Sequence, residues 1–163
     1  MKYSIKIVLV LVLAGAIAAL TLIVRIPTPG SFGYLNLGDI GVIFAGLFLR
    51  NFYGALAGGL GSAVADIVGG FFIFAPVTFV AKGLEAYVAG TLGIKHPLWL
   101  VIAVLVMVAT YFTAEMFLPN MGWSAAISEL FPNFIQASIG SVGGYLVFKG
   151  VQSSFPKSRN NVG

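Results

Sequence analysis

The chain has 163 residues, 59% of them hydrophobic and 9% charged, with nine Lys and Arg against five Asp and Glu. A soluble domain carries about 25% charged residues, so this composition, with a mean hydropathy of +1.01, excludes a water-facing surface, disorder, a coiled coil and a nucleic-acid binder. The absence of cysteine excludes disulfides, thiolate metal sites and cysteine nucleophiles. What remains is an integral membrane protein.

Taken in chain order, apolar runs at 5–24, 37–49, 52–72, 75–94, 97–118 and 128–148 predict six membrane-spanning helices. A spanning helix needs about 20 mostly apolar residues, so the second run is short and is expected to be tilted or sheltered by protein. Breaks fall at Pro27-Thr28-Pro29-Gly30, Arg50-Asn51, Gly69-Gly70, Lys95-His96-Pro97 and Pro119-Asn120-Met121-Gly122. Lys2, Lys6 and Ala14-Gly15-Ala16 also fit a cleavable signal peptide. The apolar run continues to Val24, however, long enough to span, and cleavage would leave five spans with mismatched loops. Residues 1–150 are read as one six-helix domain and 151–163 as a polar cytoplasmic tail.

Basic residues set the orientation. With both termini inside, Lys2, Lys6, Arg50, Lys95, Lys149, Lys157 and Arg159 are all cytoplasmic, which is the side that retains positive charge. Arg25 alone lies outside, and Lys82 falls within a span. Trp99 and Trp123 suit interface anchors, and His96, beside a cytoplasmic loop, is not expected to bind a metal.

All five acids, Asp39, Asp66, Glu85, Glu115 and Glu129, fall in or beside the spans. Asp66 and Lys82 lie about 9 and 10 Å below the outer ends of their helices, at about 1.5 Å per residue. Thr78, Lys82 and Glu85 share one helical face, Tyr111 and Glu115 a second, and Glu129, Asn133 and Gln136 a third. Ionisable groups at such depth face the bundle interior or a cavity. Three polar faces at one depth predict a pocket that opens outward and is closed below by apolar packing. Asp66 and Lys82 could equally form an ion pair between the third and fourth spans, and Glu115 and Glu129 could sit in the outer interface. A continuous pore would need polar lining through both halves, and the cytoplasmic half lacks it.

Small residues at helical spacing allow close helix approach. They occur at Ala14-Gly15-Ala16-Ile17-Ala18, at Gly54, Gly58, Gly59, Gly61 and Ser62, and at Gly140, Ser141, Gly143 and Gly144. There is no phosphate-binding Gly-x-x-x-x-Gly-Lys-Ser/Thr, no His-Glu-x-x-His, no Gly-x-Ser-x-Gly, and a single histidine. No catalytic residue, metal or cofactor is expected. A binding subunit with its energy source elsewhere fits better than an enzyme; the alternative is a stand-alone small secondary transporter or channel.

The ordered motifs carry a resemblance. Gly33-Tyr34-Leu35-Asn36-Leu37-Gly38-Asp39 is followed by Ala57-Gly58-Gly59-Leu60-Gly61-Ser62-Ala63-Val64-Ala65-Asp66, Ala75-Pro76-Val77-Thr78 and Ala81-Lys82-Gly83-Leu84. Tyr111 with Glu115, and Glu129-Leu130-Phe131-Pro132-Asn133-Phe134-Ile135-Gln136, come later. Together they resemble the substrate-specific S components of energy-coupling factor (ECF) vitamin transporters, most nearly the hydroxymethylpyrimidine- and pyridoxine-type branch. The resemblance implies an all-α fold of six transmembrane helices with both termini cytoplasmic, in the bacterial cytoplasmic membrane. It implies as partners a vitamin, a transmembrane T subunit met by Ala14 and Ala18, and two cytoplasmic ATPases. It also implies Asn36, Asp39, Asp66, Lys82, Tyr111, Glu115, Asn133 and Gln136 around the ligand, with Phe74 and Tyr111 able to stack on its ring.

Overall fold

A computed structural model describes residues 3–28 and 34–154. Lys2, the Pro29-Gly30 break, Gly33 of the first motif, and Lys157 and Arg159 lie outside the described residues. The described residues form six α-helices: α1 (Tyr3–Ile23), α2 (Gly38–Leu49), α3 (Asn51–Gly69), α4 (Ala75–Val88), α5 (Leu100–Glu115) and α6 (Trp123–Ser154). The breaks read from sequence after α2 fall at or between the ends of consecutive helices, while α1 stops at Ile23, ahead of Pro27. Arg50 and Asn51 take positive φ, 63° and 44°, to reverse the chain between α2 and α3. Gly70, at φ 86°, closes α3 in the left-handed conformation that glycine tolerates. Pro76 occupies the first turn of α4, where a missing N–H costs little. His96 caps the short turn Pro97–Trp99 by accepting the Leu98 N–H on Nδ1.

Three details depart from expectation. The segment after α1 is not only loop: β1 (Arg25–Pro27) pairs antiparallel with β2 (Tyr34–Asn36), Arg25 opposite Asn36. α4 runs on through a wider π turn, Ala89–Gly93. α6 begins at Trp123 and continues to Ser154, so residues 151–154, assigned above to the tail, are helical. Pro132 sits inside α6 and cannot donate to the carbonyl one turn earlier.

Among the described residues, α1, α3 and the stretch Pro97–Glu115 alone combine the length and apolarity of a membrane span. α2 has 12 residues, about 18 Å at 1.5 Å each, well short of a hydrocarbon core of about 30 Å. Its position explains how it is tolerated. It packs against α1, α3, α4 and α6, and eight of its 12 residues are buried, so protein shelters it. α4 carries Lys82 and Glu85, and the first half of α6 carries Glu129, Asn133 and Gln136; neither is uniformly apolar because each turns polar groups inward.

Glycine makes the central crossings possible. A Cβ on Gly46 would meet the Ala86 backbone of α4, and one on Gly140 would meet Asp39 at the start of α2. α6 therefore approaches α2 closely enough to place Gln136, one turn before Gly140, beside Asp39. Below these crossings the core is apolar: Val10, Val42, Ala45, Leu49, Ala57 and Ala86 form one cluster, and Ile43, Leu47, Ala89, Leu100 and Ala103 another.

The small residues of α1 divide between two faces. Ala18 is 8% exposed, and the Ala14 backbone lies where a Cβ on Gly61 would fall, so both serve contacts within the chain. Gly15, Ala16 and Ala19 are the small residues left on the outer face.

The two glycine environments predict opposite responses. Gly140→Ala forces α6 off α2 and should lower the thermal midpoint in detergent, by the equivalent of about 1–3 kcal/mol for overpacking. Gly15→Ala meets nothing within 4 Å and should leave the midpoint unchanged or raise it.

Candidate functional site

Lys82, in the middle of α4, is a buried cation, 3% exposed. A buried ammonium is tolerated only with close opposite charges, and two are supplied. Asp39 lies 2.5 Å away, and Glu85, one turn along the same helix, 3.3 Å away. Asp39 is in the first turn of α2, where the helix dipole favours a carboxylate. Its second oxygen accepts the Gln136 amide N–H from α6 at 3.2 Å. Gln136 in turn accepts both the backbone N–H and the side-chain amide of Asn36 on β2, at 2.9 and 3.1 Å. Asn36 Oδ1 accepts the Gly38 N–H that opens α2. One continuous network thus joins α2, α4, α6 and the hairpin.

Above this network lies a cavity of about 50 Å³, room for a few waters at roughly 10–15 Å³ each. α1 contributes Thr21 and β2 contributes Tyr34 and Asn36. α3 gives Ser62 and Asp66, and the turn after it Phe71 and Phe74. Thr78 and Lys82 come from α4, Tyr111 and Glu115 from α5, and Glu129, Asn133 and Gln136 from α6. Tyr111 donates its hydroxyl to Thr78 at 2.8 Å, and its ring lies 5.5 Å from the Lys82 ammonium, within range of a cation–π contact.

The hairpin closes the cavity beside α3. Tyr34 donates to Asp66 at 2.9 Å and packs on Phe71, with ring centroids 4.7 Å apart. The Arg25 guanidinium lies over both rings, 5.2 and 5.9 Å from their centres. Burial, followed by the neighbouring Asp66 charge and hydrogen bond, holds the Tyr34 phenol well above its ordinary pKa, so it keeps the proton it donates. A shallower groove of about 370 Å³, lined by Phe72, Ile73, Pro119 and Met121 among others, adjoins on the outside, and Phe71 and Phe74 line both spaces.

The three polar faces read from helical spacing converge as expected. Asn36, Asp66, Lys82, Tyr111, Glu115, Asn133 and Gln136 all line the cavity. Asp39, expected beside the ligand, does not: it stands behind the wall, where it neutralises Lys82 and orients Gln136. The possible Asp66–Lys82 ion pair is also corrected. Asp39 takes Lys82, because α2 brings its first turn directly to α4, and Asp66 turns to the Tyr34 hydroxyl. Sequence reasoning missed Thr21, Tyr34, Ser62 and Phe71. Thr21 and Ser62 are hydroxyls set among apolar neighbours in their helices; Thr21 bonds its own helix carbonyl at Ile17. Tyr34 and Phe71 lie outside the helices, where no periodicity points to them, although Tyr34 belongs to the motif around Asn36.

The sequence as a whole is similar to known proteins. A family model described as "ECF-type riboflavin transporter, S component" matches residues 2–153. A protein of Pyrococcus woesei described as an "uncharacterized protein in gap 3′ region" is 34% identical over 78% of this chain and 88% of its own length. The thiamine precursor transporter HmpT of Lactococcus lactis subsp. cremoris is 32% identical over 71% of this chain and 69% of its own. The family is one of transporter components embedded in the membrane, not of enzymes. With the match running through nearly the whole chain, this protein belongs to the S-component family of ECF-type transporters.

Proposed function

We propose that the chain is the substrate-binding subunit of an ECF-type importer. It captures a small vitamin or vitamin precursor, hydroxymethylpyrimidine- or pyridoxine-like, for ATP-driven uptake with a transmembrane T subunit and two cytoplasmic ATPases. The observation that carries this is the asymmetry of the interior. Polar and aromatic side chains from α1, α3, α4, α5, α6 and the hairpin meet at one end, while the other end is packed with aliphatic residues. A permeation path would need polar lining throughout; a cavity sealed on one side suits capture and hand-over. Family membership and the thiamine precursor transporter among its relatives support the substrate class.

In this proposal the helices cross the cytoplasmic membrane six times with both termini inside. Lys6, Arg50, Lys95 and Lys149 support that orientation, since they sit at helix ends remote from the cavity and positive residues are retained inside. Asn36, Asp66, Lys82, Tyr111, Glu115, Asn133 and Gln136 surround the ligand, and Asp39 supports them from behind. At about 50 Å³ the cavity is small beside typical ligand sites of roughly 300–1,000 Å³. Loading therefore displaces Phe71 and Phe74 or lifts the hairpin off Gln136 and Asp66. The T subunit docks on the outward small face of α1, Gly15, Ala16 and Ala19, in place of Ala14 and Ala18, which pack within the chain.

Three outcomes test the proposal. Co-expression with a T subunit and two ATPases should give a complex whose uptake of labelled vitamin needs ATP; full-rate transport by this chain alone in liposomes would refute it. Gly15→Trp, which projects into open space, should leave ligand affinity intact while reducing the T subunit recovered with it; undiminished recovery removes α1 as the docking face. Within the cavity, Lys82→Ala leaves Asp39 and Glu85 uncompensated and should cost about 3–5 kcal/mol of stability, read as a lower unfolding midpoint. Asn133→Ala should spare the midpoint and weaken ligand binding instead.

A further inference from the structure

Charge is distributed unevenly along the bundle. The five acids, Asp39, Asp66, Glu85, Glu115 and Glu129, belong to the cavity or to the ion cluster beside it. Among the described residues the opposite end carries Lys6, Arg50, Lys95 and Lys149 and no acid. The sequence beyond Ser154 adds Lys157 and Arg159, again with no acid. Lys6 lies over the Tyr53 ring, 4.8 Å from its centre. Arg50 and Lys149 are exposed and make no ion pair among the described residues. The Lys149 ammonium donates to a neutral acceptor, the Gln152 amide oxygen, at 3.3 Å.

An apolar groove adjoins these two cations. α2 and α6 run side by side in the same direction: a Cβ on Gly140 would meet Asp39, and one on Gly144 would meet Ile40 and Ile43. That register sets Gly150 level with Leu49, where α2 stops, while α6 continues to Ser154. The overhang is about 6 Å at 1.5 Å per residue. It leaves a groove of about 410 Å³ lined by Phe48, Phe148, Val151 and Gln152. Phe48 is 42% exposed and stacks on Phe44, with ring centroids 5.4 Å apart. A cation stands beside each wall. Arg50 follows Phe48 in the turn that ends α2, and Lys149 adjoins Phe148 and is held by Gln152. The register puts the two cations within about 3 Å of one depth. No residue of α1 lines the groove, so it is separate from the small face offered to the T subunit.

We propose that this groove holds an anionic phospholipid of the cytoplasmic leaflet, in the orientation given above. Arg50 and Lys149 hold its phosphate, and an acyl chain lies along Phe48, Phe148 and Val151. Anionic headgroups attract basic residues beside a membrane by about 1 kcal/mol for each Lys or Arg. The hydrocarbon gains close dispersion contacts with the ring and aliphatic walls. A soluble anion has no use for those walls. A zwitterionic headgroup brings its own cation to Arg50 and Lys149, so a headgroup of net negative charge is favoured. The site needs the bilayer and not the cavity's guest, so lipid binding and vitamin capture stand or fall separately.

The test titrates the full chain in mild detergent with phosphatidylglycerol and with phosphatidylcholine of the same acyl chains, and reads bound lipid by native mass spectrometry. Phosphatidylglycerol should stay bound at concentrations where phosphatidylcholine does not. Arg50→Gln combined with Lys149→Gln should weaken phosphatidylglycerol about tenfold or more, as expected from about 1 kcal/mol for each charge. Lys95→Gln, on the same rim but beside no residue of the groove, should leave it unchanged. Val151→Trp, which fills the groove without altering charge, should weaken phosphatidylglycerol as well. If the double variant fails to fold, Val151→Trp and the lipid pair on the unaltered protein decide. Equal retention of the two lipids overturns the site, since the headgroup charge then has no effect. An equal loss with Lys95→Gln overturns it in favour of diffuse attraction by the rim, and full displacement by inorganic phosphate in favour of a soluble anion. Retention unchanged by the double variant, or by Val151→Trp, places the lipid elsewhere and likewise overturns it.

Discussion

Lys82 carries a positive charge into the interior of a helix bundle whose outer surface is made for lipid, and the arrangement of the protein follows from how that charge is compensated. Water is not at hand to solvate it, so carboxylates must come to it. Glu85 arrives on the same helix for no more than one turn of spacing. Asp39 has to be delivered by another helix, and α2 delivers it from its first turn. For that, α2 must lie at the centre of the bundle, and a central helix need not be long or lipid-facing. Its 12 residues suffice because α1, α3, α4 and α6 surround it.

The same cluster builds the cavity floor. Asp39 uses one oxygen on Lys82 and the other on Gln136, which fixes the amide of Gln136 with its N–H inward and its oxygen toward Asn36. The hairpin is thereby tied to the ion cluster through hydrogen bonds, and Tyr34 ties it again through Asp66. Closing the cavity and burying the charge are one structural solution. Close helix crossing makes it possible: without the missing Cβ of Gly140, α6 could not bring Gln136 to Asp39.

Beyond the floor, the two ends of the interior do different physical work. The end marked by Lys6, Arg50, Lys95 and Lys149 is, among the described residues, packed with aliphatic side chains. At the opposite end, hydroxyls, amides, carboxylates and rings surround a space now sized for a few waters. In the proposed capture role, a one-ended cavity holds a guest at one end and is sealed by packing at the other. In that role the guest's chemistry is set by which polar atoms still lack partners; Asp66 and Glu115 each line the cavity with a buried carboxylate oxygen that has no hydrogen-bond partner among the described residues.

Hydropathy and helical spacing by themselves determined the membrane class, the helix order and the convergence of the α4, α5 and α6 polar faces. These depend on local facts: the solvation of side chains and a period of 3.6 residues. The resemblance carried by the ordered motifs added the family. Only the tertiary structure decided that Lys82 belongs to Asp39 and not to Asp66, that Asp39 supports the cavity from behind, and that Ala18 faces inward. It also decided that a hairpin roofs the site with Tyr34. These are choices among partners distant in the chain, where several pairings satisfy the same charge and the same periodicity. Helix crossings select one of them, and the crossings depend on which glycines meet which backbones.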